Sequence, residues 1–239
     1  MAQSEVAYQR GAVRPLECYK EAWALIKRNY WVYFGITVMG VLIASWAPFG
    51  ILMGPMFCGI TYCFLEGIAA KPVEFSSLFR GFDYVVQSMI ATVFIMIAGL
   101  VVAIPFTFLI VIRVFMLMGK LGGLGHSSQE ILPSLFGHLA IEIVLLVVLM
   151  LLCIIPLSAL TTFMYPLIVD RHLTAIDALT TSVRAGLGNF VPLLVLFVLN
   201  MVLGLAGMAL CYVGVFFLLP LTMAATTMAY RQAFPQDGA

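Results

Sequence analysis

The sequence predicts an all-α integral membrane protein that crosses the bilayer several times. Hydrophobic residues make up 63% of its 239 residues and charged residues only 10%, which leaves too little polar surface to coat a soluble globule. Apolar segments of about 20 residues, the length that crosses the hydrocarbon core, follow one another between residues 30 and 230. Lysine and arginine are almost absent from every second connection between them. We therefore predict a single membrane domain over residues 1–239.

Six membrane-spanning helices are predicted. Four apolar segments have the length of one span, and two are longer and contain prolines, including Pro105 and Pro156. We interpret each long segment as one helix that is tilted, or kinked at its proline. Eight spans, with breaks at Pro105 and Pro156, are the alternative. The six segments are 30–48, 50–69, 84–118, 134–169, 190–208 and 211–230.

The distribution of basic residues predicts that both termini are cytoplasmic. With six spans, ten lysines and arginines fall on the side of the N-terminus, and only Lys120 falls in a loop on the other side. Cytoplasmic segments carry this excess in multi-span proteins. We therefore expect a multi-pass membrane protein, with the lipid bilayer as a partner. The ten residues are Arg10, Arg14, Lys20, Lys27, Arg28, Lys71, Arg80, Arg171, Arg184 and Arg231.

Three amphipathic helices are predicted on the cytoplasmic side, each directly before an outward-going span. Apolar residues at helical spacing form one face before residue 30, again after residue 72 and again after residue 174. We expect these helices to lie in the plane of the membrane surface. Their apolar faces are Leu16, Tyr19, Trp23, Ile26 and Tyr30, then Phe75, Leu78, Phe79 and Phe82, then Ile176, Leu179, Val183 and Leu187.

The three amphipathic helices suggest an internal repeat of one helix plus a membrane hairpin, over residues 15–69, 72–169 and 172–231. An offset of 160 residues superimposes Asn29 on Asn189 at the same kind of junction. Copies that start on the same side of the membrane are parallel repeats. The alternative is that cytoplasmic loops between spans are commonly amphipathic without common ancestry.

Aromatic residues are predicted at the membrane interfaces, because rings with one polar end are enriched at the headgroup level. They are Trp23, Tyr30, Trp31, Trp46 and Tyr230.

Several short motifs resemble a family of bacterial multi-span membrane proteins of unknown function. They are the runs Pro-Leu-Ile-Val-Asp-Arg at 166–171, Ala-Leu-Thr-Thr-Ser at 178–182, Gly-Asn-Phe at 188–190 and Leu-Phe-Arg-Gly-Phe at 78–82, with Pro220 and Ala-Tyr-Arg at 229–231. The pattern is similar to the membrane domain fused to some glycerophosphodiester phosphodiesterases. The resemblance implies a location in the bacterial inner (cytoplasmic) membrane. The soluble phosphodiesterase domain has no counterpart in this sequence, so the resemblance implies no such activity.

Arg113 and Glu142 are the charged residues placed deepest in the predicted spans. A charged group near the bilayer centre costs about 2.5–3.5 kcal/mol on insertion scales, so both side chains are expected to face protein or water. They lie on opposite arms of one predicted hairpin, which allows an ion pair between them. Mutual neutralisation is the structural interpretation, and a solute or proton path is the functional one.

Two further polar groups fall within predicted spans. His138 precedes Glu142 by four residues and shares its helix face, but two ligands do not make a metal site, so no metal is expected. Asn200 lies in the middle of a span, where it can bond across helices or line a pathway. Asp170, Arg171 and His172 are interpreted as a charged helix end.

Function is predicted by elimination. The sequence contains no Walker loop, dinucleotide fingerprint or HExxH motif, and its net charge of +1 gives no support for nucleic-acid binding. We therefore expect no enzymatic activity and no cofactor. The prediction is a scaffold, assembly factor or accessory subunit of a membrane complex, with protein partners or a second copy of the chain. The alternative is a small-solute or ion transporter or channel that uses Arg113 and Glu142.

Overall fold

The computed structural model describes residues 6–46, 50, 52–122, 132–210 and 213–235. Within residues 120–136 it describes the backbone of 120–122 and 132–136 only. All regular structure in these residues is helical, and no strand occurs among them, so the all-α prediction is confirmed. The helices are α1 (Pro15–Ile26), α2 (Tyr30–Trp46), α3 (Met53–Ile68), a 3₁₀ helix (Phe75–Tyr84), α4 (Val85–Gly122), α5 (Leu132–Thr161), α6 (Met164–Arg171), α7 (Ala175–Gly188), α8 (Phe190–Ala209) and α9 (Val213–Ala233).

Four helical stretches are long and apolar enough to cross a membrane. A fifth candidate arises if α1 and α2, which meet at an angle of 107°, are counted as one broken span. Taken singly, α2 and α3 have 17 and 16 residues, below the usual length of about 20. Several helices long and apolar enough to span a membrane are thus confirmed, while the number six stays a prediction. The four stretches are Phe75–Gly119, Gly137–Arg171, Phe190–Ala209 and Val213–Ala233.

Helical structure continues through both prolines at which the eight-span alternative would break the chain. Pro105 lies inside the 38 residues of α4, and Pro156 lies inside α5. The second long segment is instead interrupted at Thr162 and Phe163, between α5 and α6. There the backbone N–H of Phe163 donates to Ser182 Oγ at 3.2 Å. A side chain from α7 thus replaces the carbonyl acceptor that Phe163 lacks at the helix interruption.

The chain divides into two compact units. The first comprises Met1–Phe94 and Ser158–Ala239, and the second is Ile95–Leu157, which contains the later part of α4 and the earlier part of α5. The first unit holds the core, in which Phe64, Phe163 and Tyr230 are among the largest fully buried side chains. The second unit presents mostly exposed apolar side chains.

Helix α1 packs on α9. The backbone N–H of Arg14, just before α1, donates to Gln232 Oε1 at 2.8 Å. The hydroxyl of Tyr30, the first residue of α2, donates to the carbonyl of Phe217 at 2.7 Å. The two bonds thus hold the chain on either side of α1 to α9. The in-plane placement of α1 stays a prediction.

The inward faces of α1 and α7 consist mainly of small residues, and several large residues of the predicted apolar faces are exposed. Small side chains allow two helix backbones to approach closely. Leu16 and Trp23 of α1, and Ile176 and Leu187 of α7, remain exposed. The buried residues are Cys18, Ala22 and Ile26 in α1, and Ala175, Ala178, Ser182, Ala185 and Gly186 in α7.

Each of the three short helices packs on the last helix of another predicted copy. The 3₁₀ helix packs on α3, α7 packs on α6, and α1 packs on α9, all within the first unit. The 3₁₀ contact is close enough that a methyl group at Gly81 would collide with the backbone of Pro55 and Gly59. The second copy thus contacts the first, the third contacts the second, and the first contacts the third. Common ancestry of the three copies stays a prediction.

Candidate functional site

Arg113 on α4 and Glu142 on α5 form an ion pair within the second unit. The Nη1 atom of Arg113 lies 3.6 Å from Oε2 of Glu142. The two side chains are 53% and 46% exposed, so this chain covers only about half of each. Large apolar residues on both helices, including Phe115 and Ile141, are exposed nearby in sequence. The ion pair that the sequence allowed is therefore present, and about half of each of its side chains is not covered by this chain.

His138 lies one helical turn before Glu142 and is exposed. Among the residues that the structure describes, no three histidines, cysteines or acids come together in a way that could hold a metal ion. Structural zinc sites take four protein ligands and catalytic ones take three. These residues thus offer no complete metal site, and the expected lack of a cofactor stays a prediction.

Asn200 joins two helices. Its Oδ1 accepts a hydrogen bond from the hydroxyl of Tyr19, which connects the middle of α8 to α1. Tyr19 had been assigned to a face turned towards lipid, yet its ring is partly buried against the bundle. The structure thus supports the packing role predicted for Asn200.

A largely buried ionic network joins the ends of α6 and α9. Asp170 accepts two hydrogen bonds from Arg231, at 3.1 Å from Nη1 and 3.0 Å from Nη2, and one at 2.7 Å from the hydroxyl of Tyr230. The side chains of Asp170 and Arg231 are 12% and 14% exposed. Arg171 adds a second cation, with Nε 3.5 Å from Asp170 Oδ2, and donates to the carbonyl of Pro235 at 3.1 Å. The predicted charged helix end is therefore a connection between two helices.

Tyr230, predicted at the membrane interface, is buried within the chain, and its depth in the membrane stays a prediction. Its side chain is fully buried, and its ring packs on Phe163 and Phe234 with centroid distances of 6.1 and 5.1 Å. The burial is favourable because the Asp170 carboxylate satisfies the hydroxyl. The other predicted interface residues are accessible: Trp23, Trp31 and Trp46 are exposed and Tyr30 is partly buried.

Asn189, at the junction of α7 and α8, fixes the N-terminal segment. Its fully buried side chain accepts hydrogen bonds from the backbone N–H groups of Ala12 and Val13, at 3.0 and 3.4 Å. It donates to the carbonyls of Gln9 and Ala185, at 3.0 and 3.1 Å. All four hydrogen-bonding positions of the amide are therefore used. The sequence analysis identified this residue as a repeated junction and as part of the Gly-Asn-Phe motif at 188–190, and neither observation predicted these hydrogen bonds.

A third polar cluster joins α3 to the 3₁₀ helix. Arg80 Nη1 donates to the hydroxyl of Tyr62 at 2.5 Å, and that hydroxyl donates to Glu66 Oε1 at 2.9 Å. The Arg80 guanidinium also lies 5.4 Å from the centroid of the Tyr62 ring. The second carboxylate oxygen of Glu66 is buried without a hydrogen-bond partner. This cluster again connects elements of the first unit.

A cavity of about 880 Å³ lies between residues 6–10 and α7. Arg10, Arg184, Thr180 and Asp177 contribute to its lining. The carboxylate of Asp177 accepts a hydrogen bond from the hydroxyl of Thr174 at 2.7 Å, as part of the N-terminal cap of α7. Cysteine, histidine and serine are absent from the described lining, which includes the threonines Thr180 and Thr181.

Comparison with known proteins gives no relative: no family model, no curated protein and no solved structure matches this chain. The resemblance to bacterial multi-span membrane proteins of unknown function therefore stays a prediction.

Proposed function

We propose that this protein is a non-enzymatic integral membrane protein that serves as a scaffold, assembly factor or accessory subunit of a membrane complex. The observation that carries the proposal is the use of its polar side chains. Asp170, Asn189, Asn200 and Ser182 each bond to a different helix or segment of the same chain. Large apolar side chains, in contrast, are left exposed along α4, α5 and α8. Such a surface is suited to lipid and to other membrane helices.

The proposal predicts that the protein is recovered with partners. A tagged chain, extracted from native membranes in a mild detergent, is expected to elute in an assembly larger than one chain with its detergent. An unrelated multi-span protein with the same tag is the control for non-specific capture. Recovery of the chain alone, with no second copy and no other protein, would contradict the scaffold proposal.

We further propose six spans in a bacterial inner membrane, with α2 and α3 as two short crossings. The ten-to-one bias of lysine and arginine supports this topology. The 3₁₀ helix and α7 are proposed to lie at the cytoplasmic headgroup level, since both expose large apolar residues beside polar ones. Helix α1 carries the exposed Lys20, the exposed Lys27 and Arg28 directly follow it, and the helix packs on α9. We therefore propose an inclined position for it at the same surface.

The topology predicts which cysteines react from outside the cell. Gln3→Cys and Asp237→Cys, both outside the described residues, are expected to be protected from a membrane-impermeant thiol reagent in intact cells. Lys120→Cys, in the connection assigned to the other side, is the matched control and is expected to react. Native cysteines are replaced by serine in all three variants. Labelling at position 3 or 237 before lysis would reject cytoplasmic termini.

A transporter or channel is the second candidate, and the half-exposed charges of Arg113 and Glu142 favour it. A double-mutant cycle separates the two functions. If the pair is structural, Arg113→Leu or Glu142→Leu alone leaves one uncompensated charge, and the double variant is expected to be more stable than either single variant. The measurement is the midpoint of thermal aggregation in detergent. Additive losses would indicate that each charge faces water, as expected for a pathway.

A further inference from the structure

We propose that two copies of this chain associate through the second unit, so that Arg113 of each copy pairs with Glu142 of the other. The association surface consists of residues 95–119 of α4 and 137–157 of α5, called here the charged hairpin. This inference rests on the proposed membrane location, because the hydrocarbon environment makes the uncovered charges costly. It names one partner of the proposed scaffold.

The two charged side chains are only half covered by their own chain. Arg113 and Glu142 touch at 3.6 Å, yet about half of each side chain is uncovered. Lipid tails cannot solvate these groups, and charged residues inside membrane spans face protein or water. Most of their neighbours on the charged hairpin are apolar: Val111, Val114 and Phe115 on α4 and Ile141 and Leu145 on α5 are exposed. His138, one helical turn before Glu142, is the polar neighbour and is also exposed. The second unit by itself therefore leaves about half of each side chain of the ion pair uncovered.

A second copy is the partner that fits this pair. Since Arg113 and Glu142 touch, they lie at one depth in the membrane. Both copies insert with the same topology, so a two-fold axis along the membrane normal relates them. This rotation sets Arg113 of one copy opposite Glu142 of the other, and the reverse, at that shared depth. An unrelated partner would need an acid and a base of its own at the same level.

Helix α4 also has a surface on which two backbones can approach. Gly99, Ala103 and Thr107 follow one another at intervals of four residues and thus form a small-residue stripe. A methyl group built at Gly99 would meet nothing within 4 Å, so the space beside it is open. Fourteen residues separate Gly99 from Arg113, which returns the side chain to within about 40° of the same face. Small residues of this kind are enriched where membrane helices pack.

A charge-exchanged chain tests the proposal while keeping its internal pair. The variant carries both Arg113→Glu and Glu142→Arg, so its acid and base still touch within one chain. Between copies, however, wild type and variant would set Glu against Glu and Arg against Arg. Two differently tagged chains are co-expressed, and recovery of the second tag is measured after purification on the first. Wild type with wild type, and variant with variant, are expected to co-purify.

The mixed combination decides the outcome. Recovery of the second tag is expected to fall at least about tenfold when wild type is paired with the variant, because like charges would be juxtaposed. Lys20→Glu, at an exposed position of α1, is the control for charge reversal outside the charged hairpin. It is expected to co-purify with wild type as well as wild type does with itself. Equal recovery in the mixed pair would overturn the charge-matched contact while leaving the scaffold proposal intact. Failure of wild-type copies to co-purify would overturn it as well.

A second pair of variants covers the case in which the charge-exchanged chain does not accumulate. The chain with Arg113→Glu alone carries two acids, and the chain with Glu142→Arg alone carries two bases. Neither can form the internal pair, but together they satisfy the contact between copies. Co-purification is expected only when the two are co-expressed. If they associate no better together than each with itself, the proposal fails.

Discussion

Replacing Asp170 with asparagine is expected to cause the largest loss of stability among single changes in the first unit. The variant keeps the size of the side chain but removes the charge that faces Arg231 and Arg171. Breaking a buried ion pair by removing one partner costs about 3–5 kcal/mol, because the other charge is left uncompensated. In a protein of this size, each kcal/mol corresponds to roughly 2–4 °C in the melting temperature. Scanning fluorimetry in detergent measures the change.

Asp83→Asn is the matched control for Asp170→Asn. Asp83 is exposed on the 3₁₀ helix, and surface substitutions of this kind usually stay within about 0.5 kcal/mol. Tyr230→Phe measures the contribution of the hydroxyl apart from that of the ion pair, since it removes only the hydrogen bond to Asp170. A smaller loss, about 1–2 kcal/mol, is expected for it. If Asp170→Asn melts like Asp83→Asn, the network does not hold α6 and α9 together.

Replacing Asn189 with leucine is expected to release the N-terminal segment and to destabilise the fold. All four hydrogen bonds of the amide are lost, and the backbone groups of Ala12 and Gln9 lose their partner. Each buried polar group left unsatisfied costs about 1–3 kcal/mol, so a loss of several kcal/mol is expected. Hydrogen exchange should accelerate at the N–H groups of residues 9–13. The hydrogen bond from Gln9 to the carbonyl of Ala233 is expected to open with them.

Two variants define what the Asn189 side chain contributes. Asn189→Asp keeps the acceptors for Ala12 and Val13 but sets a carboxylate against the carbonyl of Gln9, so it should also destabilise the segment. Asn29→Leu is the control, because Asn29 holds the equivalent junction before α2 and is exposed. Little change is expected for it. Equal losses of stability at positions 29 and 189 would show that the effect comes from the helix junction and not from the hydrogen bonds of Asn189.

The membrane character and the positions of the helices could be predicted from the sequence, because both depend on local composition. An apolar run of about 20 residues stays apolar whatever it packs against. Pro15, Thr174 and Asp177 lie at helix starts, where proline and capping residues are favoured. The proximity of Arg113 and Glu142 could also be anticipated, since a hairpin brings opposite arms together.

Hydrophobic periodicity marks the apolar face of a short helix, but it does not show which face packs on other helices of the chain. On α1 the apolar face contains Leu16 and Trp23, which stay exposed. The helix turns Cys18, Ala22 and Ile26 towards the bundle, and the small side chains of Cys18 and Ala22 allow close backbone packing. These two small residues, four positions apart, were the signal that could have indicated this face.

Composition determined by itself that this chain is an all-helical protein suited to a membrane, and the charge pattern predicted its orientation there. Only the tertiary structure decided which polar residues act together. Asp170 and Arg231 are 61 residues apart, and Asn189 meets residues about 180 positions earlier. No local pattern encodes such distances, because a hydrogen bond between remote segments depends on how whole helices pack. The sequence therefore identifies the charged and amide groups singly, and only the fold shows which of them contact each other.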